Sequence, residues 1–144
     1  MAAIGTEIGT HGWRTALLAR CASLAPLDTA VVHPCDPAAL SGALDAAAQG
    51  LIRPILVGPE HKIRAAAATL KADISGFRLE ATPHSHAAAD KAVALVRAGE
   101  AELLMKGSLH TDELMHAVFA PDTGLRTARR VSHVYIMDVP LYPG

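Results

Sequence analysis

Aromatic side chains are scarce in this sequence: one Trp, two Tyr and two Phe among 144 residues, or 3%. Stacking platforms for nucleic-acid bases are therefore not expected, and a core must be built from Ala, Leu, Val and Ile. Excess positive charge is also missing. Thirteen Lys and Arg against 14 Asp and Glu leave a formal charge of -1, which argues against a nucleic-acid partner, since phosphate neutralisation needs clustered cations. Apolar runs such as Ala65 to Ala68 fall far short of the roughly 20 residues of a membrane span. No membrane partner is expected. The opening MAAIGTEIGTHGW lacks a basic stretch followed by an apolar one, so it is no secretory signal. Residues 1–12 read as a flexible leader. Cysteine is rare too: Cys21 and Cys35 lie on different expected elements, which excludes a disulfide scaffold and fits a reducing cytoplasm.

What is present is a globular composition, 51% hydrophobic and 19% charged, in a length that buries a real core as one ordinary domain. Leu17, Leu18, Cys21 and Leu24 recur at helical spacing over Trp13–Leu24, which Pro26 ends. Thr29–His33 is a short, continuously apolar run, the pattern of a strand covered on both faces. Asp36 followed by Pro37 is a capping carboxylate with proline at the first helical position, and Gly50 closes that helix. The cycle repeats with a strand at Pro54–Val57 and a helix at Glu60–Lys71. A weaker strand follows at Phe77–Ala81, where Arg78 and Glu80 suggest an edge. His84 or Ser85 caps a helix to Ala98 that Gly99 stops, and Glu102–Met105 is a strand. Thr111 is expected to cap a helix over Asp112–Ala120, and Val131–Met137 is expected to be a last strand. Strands alternating with helices predict an α/β fold, three-layer αβα with a mainly parallel sheet.

Ligands of open parallel sheets sit at the carboxyl ends of the strands. The sharpest candidate there is Lys106–Gly107–Ser108–Leu109–His110–Thr111–Asp112. A strand leads into a lysine, a glycine turn, hydroxyl and imidazole groups, then a helix start whose free N–H groups suit an anion. It is not a Walker loop, because the GxxxxGK[ST] spacing is absent. Against it stands the plain reading of a capped helix with a solvated lysine. His33, beside Pro34, either makes structural hydrogen bonds or lines the cleft, and the structural role is the preferred reading. Cys35 precedes a helix start that would lower its pKa, yet no base is identifiable and packing is the preferred role. His84 and His86 do not match a zinc spacing, so no metal is expected, and His133 reads as a core histidine. Arg126, Arg129 and Arg130 form a basic cluster expected beside the lysine turn.

Taken together, "TAVVHPCD", "GLIRPILVGPEHKI", "PHSHAAADKAVALVRAGEAELLMKGSLHTDELMHAVF" and "TGLRTARRVSHVYIMDVP" resemble the N-terminal part of the phosphate acetyl/butyryl transferase family. The nearest variants are the domains fused behind an enoyl-CoA hydratase-like domain in bacteria. The likeness runs from about Trp13 to the last residue, and "LLMKGSLHTDEL" with "GLRT" and "RRVSHV" carries its specificity. The resemblance implies that acyl-CoA and phosphate give acyl phosphate and coenzyme A, with no cofactor, no metal and no covalent enzyme intermediate. It implies an isocitrate/isopropylmalate dehydrogenase-like first domain over 13–144, with the second domain and the family's catalytic residues beyond Gly144. Residue by residue, it assigns phosphate or acyl-phosphate contacts to Lys106, Gly107, Ser108, His110 and Thr111, and cleft support to Arg129, Arg130 and His33. It further implies a cytoplasmic homo-oligomer. Asp112–His116 lacks the arginine of acetate-type members, which favours the butyryl-like branch. The alternative function is a non-catalytic ligand-sensing or dimerisation module of this fold. A dinucleotide dehydrogenase is weaker, because no G-x-G-x-x-G follows the first strand.

Overall fold

The computed structural model describes residues 12–136. The chain divides into two compact units, Ala25–Arg129 on one hand and Met1–Leu24 with Arg130–Gly144 on the other. The elements in chain order are α1 (Gly12–Cys21), β1 (Leu27–Val32), α2 (Pro37–Ala48), β2 (Ile52–Gly58), α3 (Glu60–Leu70), β3 (Arg78–Ala81), α4 (Ser85–Arg97), β4 (Leu103–Lys106) and α5 (Thr111–Phe119).

In the larger unit the four strands are all parallel and ordered β3-β2-β1-β4. Parallel strands need crossovers, and the helices that make them cover both faces. Alternation along the central strands shows the division. Ala30, Val32, Ile55 and Val57 pack into one core with Ala88, Ala89, Ala92 and Val93 of α4 and Leu114 and Ala117 of α5. Val31 and Leu56, one residue out of step, face Leu40 and Ala43 of α2 and Ile63, Ala66 and Ala67 of α3. The runs at 29–32 and 54–57 are apolar throughout because both of their faces are buried. The layers are helix, sheet, helix.

Local chemistry starts and stops the helices as the sequence suggests. Asp36 accepts a hydrogen bond from the Ala39 N–H (2.8 Å), with Pro37 first in α2. Gly50 and Gly99 follow α2 and α4 at φ +70° and +74°, a region glycine enters without strain. His84 is the cap of α4, its Nδ1 accepting from the Ala87 N–H (3.2 Å). β3 is an edge strand, and its charged alternation is an ion network: Arg78 pairs with Glu80 and Glu100, and Lys91 with Glu80. Charge of this kind discourages stray strand pairing.

Three expectations need correction in the second unit. Val131–Ile136 is irregular and not a strand, with Val134, Tyr135 and Ile136 more than 70% exposed. Its β-branched pattern calls for a covered ladder position, but among the described residues β1 is the one strand beside β4. His133 is exposed as well and not a core residue; its ring lies 4.2 Å from that of Tyr135. α1 ends at Cys21, three residues before the expected Leu24, and much of it is exposed. The expected leader and Met137 lie outside the described residues, apart from Gly12.

Candidate functional site

The chain passes from β1 to β2 to β3 in one direction across the sheet, then returns to place β4 on the other side of β1. Strand order thus reverses between β1 and β4. In an open parallel sheet this reversal leaves a crevice outside the carboxyl ends of the two diverging strands. His33–Asp36 and Lys106–Thr111, apart in sequence, meet there.

A compact set of hydrogen bonds holds them. The Gly107 N–H donates to the Val32 carbonyl (2.9 Å) and the Ser108 N–H to the His33 carbonyl (2.9 Å). The Ser108 hydroxyl donates to the same His33 carbonyl at 2.8 Å, and accepts from the Cys35 N–H at 3.2 Å. His33 Nδ1 lies 3.2 Å from Ser108 Oγ, and the His33 N–H donates to the Val57 carbonyl of β2 (2.7 Å). Leu109, buried in the α4/α5 core, pins the turn from beneath. Gly107 is required for the approach, because a Cβ there would lie 2.4 Å from the Val32 oxygen and 2.6 Å from the His33 oxygen. His33 itself sits at φ +56°, one of two described non-glycine residues with positive φ. Such backbone costs energy and persists where its surroundings over-determine it.

Burial holds the His33 imidazole below its ordinary range; nearby Lys62 presses the same way, against Glu113 and Asp36. The ring is therefore neutral near pH 7. The expected lowering of Cys35 is overturned: burial pushes its thiol up to about 11, with Asp36 adding to the rise and Lys62 opposing it. Helix-start N–H groups do not activate Cys35 because the adjacent Asp36 already occupies that position as the cap. The thiol packs and does not attack.

The start of α5 also differs from expectation. Its cap is His110, and Thr111 is the first helical residue. The reason is Glu113, which reaches back three residues so that its Oε2 accepts from the His110 N–H (2.8 Å), the reciprocal half of a capping box. Its other oxygen accepts from the Ser85 hydroxyl (2.7 Å) and lies 3.0 Å from His86 Nδ1. These partners, Ser85 foremost, hold the Glu113 carboxyl below the usual range. One carboxylate thus ties the starts of α4 and α5 together.

Of the residues singled out by sequence, the fold brings His33, Lys106, Gly107 and Ser108 to one place, with His110 and Thr111 exposed on the adjoining helix start. Lys106 is exposed, its Nζ 3.4 Å from the Gly107 carbonyl. Arg126 and Arg129 are exposed, with no recorded hydrogen bond to the lysine turn; the Arg129 N–H donates to Thr127 (3.1 Å). Arg130 belongs to the other unit. Sequence reasoning missed Lys62 and Glu113. A capping-box spacing from His110 to Glu113 signalled the second; no local pattern marks Lys62.

Three concavities of about 470, 620 and 580 Å³ lie elsewhere. The first, between the starts of α3 and α4, has Arg64 committed to Glu60 at 2.7 Å. The second opens at the far ends of the strands, around Asp28, Ile52 and Arg78. Strand reversal and the convergence of polar groups favour the β1–β4 crevice over these hollows. Among the described residues no three His, Cys, Asp or Glu side chains are grouped to hold a metal, and no helix is long and apolar enough to cross a membrane.

A doubly wound parallel α/β domain with a polar crevice at its switch point is thus the class that fold and site define. No protein-family model matches the sequence. Curated relatives do: it is 60% identical over 124 residues to a phosphate acetyltransferase of Rhizobium meliloti, covering 86% of this chain and 39% of the relative. To a phosphate acetyltransferase of Rickettsia typhi it is 47% identical, covering 88% of this chain and 36% of the relative. To a phosphate butyryltransferase of Clostridium acetobutylicum it is 34% identical, covering 72% of this chain and 34% of the relative. The chain belongs to the phosphate acetyl/butyryl transferase family and matches the N-terminal part of its longer members. It spans between 34% and 39% of the length of these three relatives. The missing helix arginine pointed to the butyryl-like branch, whereas the two higher identities are to proteins named acetyltransferases.

Proposed function

We propose that the chain serves phosphate acyl transfer, acyl-CoA and phosphate giving acyl phosphate and coenzyme A, as the first α/β domain of a longer, dehydrogenase-like two-domain fold. The observation that carries this reading is the β1–β4 crevice, where His33 is latched to the Lys106–Thr111 turn in a chain whose relatives bear that activity in their names. Lys106 and the Thr111 N–H would hold the phosphate, with Gly107, Ser108 and His110 shaping the turn around it, since their N–H groups already donate to Val32, His33 and Glu113. In the reaction a phosphate oxygen bonds the thioester carbon, the carbon–sulfur bond breaks, and the proton of hydrogen phosphate ends on the CoA thiolate. Coenzyme A enters as substrate and no resident cofactor takes part. Arg129 would support the cleft.

Holding two reactants in attack geometry supplies roughly 7–11 kcal/mol of barrier reduction, and one wall of a cleft does not provide it. We therefore expect the 144-residue chain alone to release no thiol from acyl-CoA in the presence of phosphate. Activity should return when the chain is joined to the remainder of a family member. Turnover by the isolated chain would mean that the crevice is a complete site. The reading also includes self-association in a cytoplasmic setting, with a second copy covering Val131, Val134, Tyr135 and Ile136, exposed at 58 to 81%. Light scattering should show a dimer or larger, and a monomer at high concentration would refute it.

A further inference from the structure

The turn Lys106–Thr111 is held at both of its ends. At the β4 end the Gly107 and Ser108 N–H groups bond the Val32 and His33 carbonyls (both 2.9 Å), and Leu109 is buried behind them. At the α5 end the His110 N–H donates to Glu113 Oε2 at 2.8 Å. Glu113 is itself braced from the neighbouring helix. Its Oε1 accepts from the Ser85 hydroxyl at 2.7 Å and lies 3.0 Å from His86 Nδ1, and Ser85 and His86 are the first two residues of α4. A side chain with three polar partners and 13% exposure has one place to be. The next backbone N–H along, that of Thr111, opens α5 and has no carbonyl partner within the helix. Its direction is set by the His110 backbone (φ -69°, ψ 149°), the segment that the Glu113 bond holds.

A carboxylate in the first turn of a helix that is to receive an anion calls for a reason, because its charge opposes the ligand. Glu113 weakens phosphate binding unless what it fixes outweighs what it repels. We propose that Glu113 is a positioning residue for phosphate: braced by Ser85 and His86, it holds the His110 backbone so that the Thr111 N–H is already aimed where the anion would bind. The inference rests on the phosphate reading above and adds the group that orders the α5 side of the turn. Such ordering in advance removes a cost that binding would otherwise meet. Ordering and repulsion have opposite signs, so the direction of change in a variant decides between them.

The test uses the 144-residue chain, inorganic phosphate as the probe, and amide NMR to read both phosphate affinity and the solvent exchange of the His110 N–H. Glu113→Ala removes the bond and the charge together. Phosphate should then bind about fivefold more weakly, in the range of one hydrogen bond, and the His110 amide should exchange faster. Glu113→Gln removes the charge but keeps an acceptor oxygen, so its affinity should lie between those of the wild type and Glu113→Ala. Ser85→Ala changes no charge and leaves the turn's own residues intact, yet by loosening the brace it should weaken binding about twofold to threefold. Affinity is read on the folded chain, so a loss of stability alone does not move it; urea unfolding of each variant reports stability separately. Phosphate binding that is tighter in both Glu113 variants would show that the carboxylate acts on the anion by charge alone, and would overturn the proposal. Unchanged affinity in Glu113→Ala and Ser85→Ala, with only the urea midpoint lowered, would make Glu113 a residue of the fold and overturn it too. Either outcome leaves the phosphate site standing. Phosphate perturbing neither 33–36 nor 106–111 in the wild type would overturn both readings.

Discussion

Replacing Gly107 with alanine should break the join between β1 and β4 where the crevice forms. The added methyl would stand 2.4 Å from the Val32 oxygen, 2.6 Å from the His33 oxygen and 2.7 Å from the His33 carbonyl carbon. All three are backbone atoms, so no side-chain rotation relieves the clash. Close carbon–oxygen contacts are about 3.3–3.6 Å, so the strand ends must part by about 1 Å. The bonds from Gly107 N, Ser108 N and Ser108 Oγ, now 2.8–2.9 Å, would then exceed bonding distance. At about 1 kcal/mol each, with water recovering part at this exposed turn, the loss is about 2.5 kcal/mol. For an m-value of about 2 kcal/mol/M the urea midpoint should fall by about 1.2 M. Gly76→Ala is the control: nothing lies within 4 Å of its Cβ position, so its midpoint should move by less than about 0.3 M. If Gly107→Ala unfolded within that same margin of the wild type, the strand ends would not be latched as described.

The Glu113 link between α4 and α5 has a pH signature. Its folded pKa lies below the ordinary glutamate value of 4.5, so its stabilisation is complete above that value and is lost as pH falls through the folded pKa. Glu113→Gln should flatten the loss of stability with acid in urea titrations between neutrality and pH 3; an unchanged slope would place the link elsewhere. Cys35, with its thiol at about 11, should alkylate far more slowly at pH 8 than an unperturbed thiol, as peptide mass spectrometry of iodoacetamide-treated chain would show. Rapid labelling of Cys35 would contradict its protonated, packed state.

Much of the fold was legible because the chain states it locally. The apolar runs at 29–32 and 54–57, Asp36–Pro37 and the stops at Gly50 and Gly99 each carry their meaning within a few residues. Val131–Ile136 misled for the converse reason: its pattern satisfies a strand's side-chain preference but cannot reveal whether a partner ladder stands beside it. Thr111 was misplaced by one position because a good capping residue is also acceptable as a first helical residue, and Glu113 decides between them. The site was half legible. Lys106–Ser108 follow a strand directly, but the latch joins residues 75 apart in sequence and depends on strand order. The nearness of Lys62 to His33 belongs to three dimensions alone.

The central claim is that phosphate binds at the β1–β4 switch point of this transferase-family domain. Amide chemical-shift mapping of the 144-residue chain during titration with inorganic phosphate tests it most directly. Saturable shifts should concentrate at 33–36 and 106–111, and they should vanish in Lys106→Ala while the folded spectrum persists. Shifts gathered instead around Pro59–Arg64 and Thr82–Pro83, or saturable shifts nowhere, would contradict the account.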